Sequence, residues 1–195
     1  MIDQTEEFFI EKLKQGSELA FRQLISQYGN QIHRICFQMT SSTHEAEDLT
    51  QDVFISIVES IGQFKGQSKL STWIHKIAVS KCLESKRSKS AKKRSGFLVS
   101  IFGGEEIQKS ALNIADTYST STQIEYEQVQ TVIKEALDQL PDNQRMALVL
   151  NKMEEYSYKE IADIMNISAS AVESLLFRSK QNIKKLLKDY YEKNK

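Results

Sequence analysis

The sequence predicts an all-α protein made of two small helical domains joined by an irregular linker. Its 195 residues include one proline and seven glycines, too few for the turns that many short strands require. Apolar side chains recur at steps of three and four, the spacing of one helix face. That spacing lapses between residues 88 and 122. We therefore expect an N-terminal helical bundle over residues 1–94, a linker over 95–122 and a C-terminal helix-turn-helix domain over 123–195.

Three long helices follow a short one near residues 6–14 in the predicted N-terminal bundle. The first spans residues 17–40, with inward Ala20, Phe21, Leu24, Ile25, Tyr28, Ile32, Ile35, Cys36 and Met39. The second starts at a capping box of Ser42 and Glu45, with inward Leu49, Val53, Phe54, Ile57, Val58 and Ile61. A glycine-bracketed loop over 62–68 leads to the third, over 69–87, with inward Leu70, Trp73, Ile74, Ile77 and Ala78. Such helices can close a small bundle.

The C-terminal block begins near Gln123 and includes a helix that starts at Pro141. Ser157 and Glu160 then form a capping box at the entry of a short helix. Small, turn and apolar positions follow with the spacing of a helix-turn-helix, whose second helix enters the DNA major groove. In the first helix, Ile161, Ala162 and Met165 are predicted to face inward. Asn166 lies in the turn, Ile167 packs in the core and Ser168 caps the second helix, whose inward residues are Val172 and Leu175. A generic helical hairpin is the alternative.

Charge is segregated along the chain although 26 basic and 26 acidic side chains give a net charge of zero. Residues 65–94 carry a net charge of +9 and residues 141–195 carry +2, whereas residues 1–64 carry −6 and 95–140 carry −5. Two basic zones suggest two separate contacts with a polyanion. Solvated lysine-rich helix faces are the alternative.

Several function classes are disfavoured by the sequence. No apolar run is long enough to cross a bilayer, and the acidic N-terminus does not resemble a signal peptide, so we expect a cytoplasmic protein. Cys36 and Cys82 form no CxxC motif and are expected to be buried thiols. His33, His44 and His75 have no metal-ligand spacing. Without a nucleophile–base set or a phosphate-binding loop, we expect no enzyme activity, cofactor, metal or small-molecule substrate.

Two further faces of the N-terminal domain are candidates for binding. One helix face carries Glu45, Asp48, Gln51 and Asp52, which suits a partner helix bearing arginines; an ordinary solvated face is the alternative. On the next helix, one stripe carries Lys69, Thr72, Lys76, Ser80 and Arg87, beside Trp73 and the polar loop residues Gln67 and Ser68. A basic track next to an aromatic ring can hold single-stranded nucleic acid. The alternative for Trp73 is packing in the hydrophobic core.

Four stretches of the sequence carry a resemblance to a known family. They are AFRQLISQYGNQIHRIC, EAEDLTQDVFI, FKGQSKLSTWIHKIAVSKCLESKR and LDQLPDNQRMALVLNKMEEYSYKEIADIMNISASAVESLLFRSKQNIKKL. In this order they resemble an extracytoplasmic-function (ECF) sigma factor of bacterial RNA polymerase, a two-domain member of the sigma-70 family. The resemblance covers residues 17–94 and 122–188.

The resemblance implies three binding surfaces. The β′ clamp helices of core RNA polymerase would bind Asp48, Gln51 and Asp52. The minus-ten promoter element would bind Lys65, Gln67, Ser68, Lys69, Thr72, Trp73, Lys76, Ser80 and Arg87. The minus-thirty-five element would bind Ser170, Ala171, Glu173, Ser174, Phe177, Arg178, Lys180 and Gln181. It also implies contact with the polymerase β flap, a linker threading the RNA exit channel, and an anti-sigma factor, often membrane-bound.

This chain departs from the family pattern at three positions. Many relatives carry Asn where this chain has Ser80, and Arg where it has Glu173 and Leu175, which puts the preferred promoter sequence in doubt. Two other functions are also considered, a freestanding helix-turn-helix regulator and a decoy that titrates an anti-sigma factor. A regulator needs neither the acidic helix nor the loop-helix, and a decoy needs no basic DNA surface.

Overall fold

The computed structural model describes residues 4–102 and 131–193, and every long regular element in these ranges is a helix. This confirms the predicted all-α class. A short 3₁₀ turn, Ile61–Gln63, follows the third helix. The helices are α1 (Gln4–Lys14), α2 (Glu18–Thr40), α3 (Thr43–Ser60), α4 (Leu70–Phe102), α5 (131–138), α6 (Asp142–Lys152), α7 (Tyr158–Met165) and α8 (Ala169–Lys193). None of the helices in the described ranges is both long and apolar enough to cross a membrane.

Side-chain caps fix where the helices of the N-terminal domain begin. The hydroxyl of Ser42 accepts from the backbone N–H of Glu45 at 3.4 Å, as predicted. The Glu45 carboxylate does not complete the capping box, because it pairs with Lys89 of α4 at 2.5 Å. An unpredicted contact holds the start of α4, where the backbone N–H of Leu70 donates to the Glu6 carboxylate at 3.3 Å. An acid near a helix N-terminus is favourable, since it meets the unpaired N–H groups there.

Three details of the predicted helices are wrong. Ile25 and Val58, predicted to be inward, are 50% and 52% exposed. Each directly follows a buried residue, and a rotation of about 100° per residue turns it to the edge of the apolar stripe. Helix α4 continues to Phe102 instead of ending at Arg87. Its added length is rich in Lys and Ser and holds no proline, so nothing in it forces the helix to stop. Residues 95–102, assigned to the linker, are thus helical, while residues 103–122 lie outside the described part.

The two domains pack against each other, which the sequence did not predict. Helices α2 and α4 of the N-terminal domain contact α6, and α4 also contacts α7. Buried residues of both domains belong to one continuous apolar cluster, which includes Ile74 and Cys82 from α4, Met146 and Leu150 from α6, and Ile161 from α7. The thiols of Cys36 and Cys82 are buried within it, 3.8 Å apart.

The helix-turn-helix has the local geometry predicted for it. Ser157 and Glu160 form a complete capping box, and Asn166 ends α7 in the left-handed conformation with φ of 55°. The hydroxyl of Ser168 accepts from the backbone N–H of Ala171 at 3.1 Å. The predicted inward residues Ile161, Ala162 and Val172 are buried, and the half-buried Met165 and Leu175 pack against the same apolar core. Ile164 and Leu176, which were not predicted, are also buried.

A buried polar cluster joins the domains at His75. The Nδ1 of His75 lies 2.6 Å from the carbonyl oxygen of Ser71, to which its N–H donates, and 2.9 Å from the hydroxyl of Tyr156. That hydroxyl also accepts from the side chain of Gln31. Burial lowers the pKa of His75 below its ordinary value of 6.5, although the Ser71 carbonyl and the charge of Glu154 oppose this shift. Burial therefore favours the neutral form of His75 in the folded chain.

Mild acid should destabilise the fold through His75. The unfolded chain binds a proton on this ring as the pH falls through about 6.5, whereas the folded chain resists protonation to a lower pH. The contribution of neutral His75 to the free energy of unfolding is therefore fully present above about pH 6.5 and is lost as the pH falls below it. Urea denaturation at a series of pH values should show the free energy of unfolding declining in this range. His75→Gln should flatten that decline, and an unchanged slope in this variant would contradict the assignment.

Candidate nucleic-acid and polymerase interfaces

The acidic face of α3 lies open to solvent. Asp48, Gln51 and Asp52 are all exposed. They share one side of the helix, since the helical period places residues three and four apart together. Asp48 lies 3.9 Å from the imidazole of His44, and Gln51 and Asp52 have no hydrogen-bond partner among the residues that the structure describes. These polar groups are therefore available to a partner.

The same face contains an apolar residue that the sequence analysis missed. Ile55 is 54% exposed and lies one turn after Gln51 and Asp52. Its spacing of three residues from Asp52 and four from Gln51 is the signal in the sequence that places it on this face. An exposed isoleucine amid carboxylates gives this face both apolar area and charge.

A cleft of about 720 Å³ brings together most of the residues predicted to bind the minus-ten element. Six of the nine line its N-terminal-domain wall: Lys65, Gln67, Ser68, Thr72, Trp73 and Lys76. The loop reaches this wall through a left-handed turn at Gly66, with φ of 68°, a conformation that glycine adopts without steric cost. The wall combines cations, hydroxyls and an aromatic ring, the groups that meet phosphates and bases of a single strand.

Trp73 packs against a neighbouring ring and also faces the cleft. Its ring packs at 5.2 Å between centroids against Phe64, which is buried. Trp73 itself is only half-buried and lines the cleft. The Phe64 contact fixes the orientation of the indole, so part of the ring is presented to the cleft in a set position.

The other three predicted minus-ten residues lie outside the cleft lining. Lys69, Ser80 and Arg87 are exposed, and the hydroxyl of Ser80 donates to Glu84 at 3.2 Å. Ser80 follows Lys76 by one helical turn, and Arg87 follows two turns later, so both continue the same stripe away from the cleft. A strand that occupies the cleft could extend along α4 toward them.

The outer face of α8 presents the residues predicted to read the minus-thirty-five element. All of them are exposed except Ala171, which is half-buried. Phe177 is 64% exposed, and it lines a shallow hollow with Glu173, Ser174, Arg178 and Lys180. Tyr158 of α7 borders the same hollow and was not predicted. The arrangement offers cations for phosphates and an apolar ring for a thymine methyl. Leu175 is half-buried, so its side chain is less available to DNA than that of Glu173.

Family comparisons agree with the two-domain organisation. The model for sigma-70 region 2 matches residues 24–92, and the model for sigma-70 region 4 matches residues 130–183. The ECF RNA polymerase sigma factor SigM of Bacillus subtilis is 31% identical over 168 residues, which are 84% of this chain and 93% of the relative. The chain belongs to the ECF sigma factors of the sigma-70 family.

A second relative supports this assignment, and two solved structures share the fold. The ECF sigma factor SigW of Bacillus subtilis is 29% identical over 181 residues, covering 92% of this chain and 95% of the relative. Among solved structures, CnrH in complex with the cytosolic domain of CnrY has a TM-score of 0.65 at 17% identity, covering 94% of this chain and 97% of that one. Sigma factor RpoE with anti-sigma factor NepR, from Bartonella quintana, has a TM-score of 0.58 at 24% identity, covering 86% and 96%.

As a sigma factor, the protein directs promoter-specific transcription. This family is not a class of enzymes. A freestanding regulator does not account for the region 2 match over residues 24–92. The roles of individual site residues remain predictions.

Proposed function

We propose that this ECF sigma factor works through three separate surfaces in the cytoplasm, where core RNA polymerase acts. The acidic face of α3, with Asp48, Gln51 and Asp52, binds the β′ clamp helices. The cleft lined by Lys65 and Lys76 captures the minus-ten strand, and the outer face of α8 binds the minus-thirty-five duplex. The observation that carries the proposal is the convergence of six predicted residues on one basic, aromatic cleft.

The division of labour follows from the shapes of the surfaces. An exposed helix face suits the major groove of an intact duplex, whereas a concave cleft with an aromatic wall suits bases that have left the stack. Ile55, exposed beside Asp52, adds apolar contact to the polymerase surface. We also propose that the C-terminal domain contacts the β flap. We further propose that an anti-sigma factor restrains the chain; RpoE of Bartonella quintana forms a complex with such a protein, NepR.

Arg178→Ala should weaken binding of the holoenzyme to duplex promoter DNA. Arg178 is exposed on α8, and contact with a duplex there needs no strand separation. If Arg178 contacts a phosphate, its loss should reduce the slope of log affinity against log salt concentration by about one unit. If it contacts a base edge, its loss should cost about 1–3 kcal/mol of binding free energy. Fluorescence anisotropy at several salt concentrations measures both effects.

Lys152→Ala is the matched control, because Lys152 is an exposed cation of the same domain that lies on α6, outside the recognition helix. It should leave duplex affinity and salt slope unchanged. If Arg178→Ala behaved like this control, α8 would not be the helix that contacts the upstream element.

A further inference from the structure

Glu173 places a negative charge on the face of α8 that is proposed to bind DNA. It is the fifth residue of this helix, which begins at Ala169, and its side chain is exposed. In a helix-turn-helix, residues near the start of the second helix reach the base edges in the major groove. Glu173 therefore lies where bases are read, while Arg178 and Lys180 follow one to two turns later.

No cation neutralises Glu173 within the part of the chain that the structure describes. Residues three and four apart are neighbours on a helix surface, and those beside Glu173 carry no charge. They are Ala169, Ser170, Leu176 and Phe177. Phosphates repel an unpaired carboxylate, so a duplex on this face either offers it a hydrogen-bond donor or loses affinity because of it.

The groups around Glu173 leave its carboxylate free to accept such a bond. The hydroxyl of Ser174 donates to the carbonyl oxygen of Ser170 at 2.9 Å, and the hydroxyls of Ser170 and Ser168 lie 3.0 Å apart. Phe177, which is 64% exposed, lines the same hollow as Glu173. An apolar ring excludes water when DNA covers the hollow, and a hydrogen bond is stronger where the local dielectric constant is low.

The chemistry of a carboxylate discriminates among the four bases. An ionised glutamate only accepts hydrogen bonds. In the major groove, guanine presents two acceptors and thymine presents an acceptor and a methyl group, so both disfavour a carboxylate. Adenine presents a donor at N6 beside an acceptor at N7, which repels the second carboxylate oxygen. Cytosine presents the donor N4 amino group without an acceptor on its own edge, and it therefore suits Glu173 best.

We propose that Glu173 selects a cytosine in the minus-thirty-five element by accepting a hydrogen bond from its N4 amino group. The inference rests on the proposed function of α8 and names the base that this face reads at one position. An arginine in place of Glu173 would favour guanine instead, because its guanidinium pairs with O6 and N7. The preferred base pair at this position is thereby the reverse of the one that an arginine selects.

A series of variants in the reconstituted holoenzyme tests the proposal. Duplexes with a random segment long enough for both promoter elements are selected by binding and sequenced. The wild type should enrich an upstream motif with cytosine at one position. That base should become adenine with Glu173→Gln, because glutamine pairs with N6 and N7, and guanine with Glu173→Arg. With Glu173→Ala the preference should disappear, and the rest of the motif should stay the same in all variants.

Anisotropy with four duplexes that differ only at this base pair measures the size of the effect. The wild-type holoenzyme should prefer cytosine by at least about fivefold, and the preferred base should change with each variant. Because Glu173 is exposed and Gln, Arg and Ala favour helices, the variants should keep the helical circular dichroism of the wild type. Glu192→Gln is the matched control, since Glu192 is an exposed acid of α8 that lies roughly 28 Å further along the helix. It should enrich the wild-type motif.

The proposal is overturned if the upstream motif is the same in every variant, or if the wild type shows no cytosine where Glu173→Arg changes the base. It is equally overturned if Glu173→Ala strengthens binding to all duplexes alike, because the carboxylate would then only repel DNA. Each of these results leaves the proposed function of α8 standing, since an upstream motif is still selected. That function fails separately if Arg178→Ala leaves duplex binding unchanged.

Discussion

Asp52→Arg should greatly reduce the affinity of this sigma factor for core RNA polymerase. Asp52 is exposed in the centre of the acidic face, where we propose that it accepts a hydrogen bond from a cationic side chain of the polymerase. Losing such a bond to a charged partner costs about 1.5–3 kcal/mol. The new arginine also adds repulsion, so a loss of at least about tenfold to a hundredfold is expected, given about 1.4 kcal/mol per factor of ten. Titration of labelled sigma factor with core polymerase measures it.

Glu47→Arg provides the matched control. Glu47 is an exposed acid of the same helix, but the helical period turns it roughly a quarter of a turn from the centre of the acidic face. Both variants make the same change in net charge, so a general electrostatic effect would weaken their binding to core polymerase equally. Both should keep the helical circular dichroism of the wild type. Full core binding by Asp52→Arg would refute the assignment of this face.

Local features of the fold could be predicted because their causes are local in the sequence. The capping box of Ser157 and Glu160 and the left-handed turn at Asn166 each depend on a few neighbouring residues. The six predicted residues on the N-terminal-domain wall of the cleft could be identified because a loop followed by one helical stripe brings them together. The other wall, formed by the end of α7 and the turn after it, was not predicted. Local sequence patterns gave a wrong prediction where a distant group competes for the same side chain. The carboxylate of Glu45 pairs with Lys89 of α4 instead of completing the capping box with Ser42.

Contacts between the domains could not be predicted in this way. Arg34 and Glu154 are 120 residues apart, and nothing near either one indicates the other. In the sequence Glu154 contributes only to the net charge of residues 141–195, yet its side chain is 1% exposed in the structure, where Arg34 donates to its carboxylate. His75 similarly appeared as an isolated ring without metal spacing, whereas the structure gives it a role in the polar cluster with Tyr156.

Lys76→Ala combined with Ser80→Ala should separate promoter melting from initial binding. Both residues lie on the stripe of α4 that leaves the cleft, and neither lies on the recognition helix α8. Holoenzyme with this double variant should therefore bind duplex promoter DNA almost normally. It should form far fewer open complexes, seen as lost permanganate reactivity of unpaired thymines, because the captured strand has lost its contacts.

Lys81→Ala with Ser85→Ala is the matched control, since it removes the same two residue types at the same spacing from another side of α4. It should melt promoters as the wild type does. A template with a pre-melted bubble should restore part of the activity of the Lys76 and Ser80 variant, because unpairing a base in duplex DNA costs a few kcal/mol that an open strand does not require. If this variant instead lost duplex binding as Arg178→Ala does, and a bubble restored nothing, the N-terminal cleft would not be the strand-capturing site.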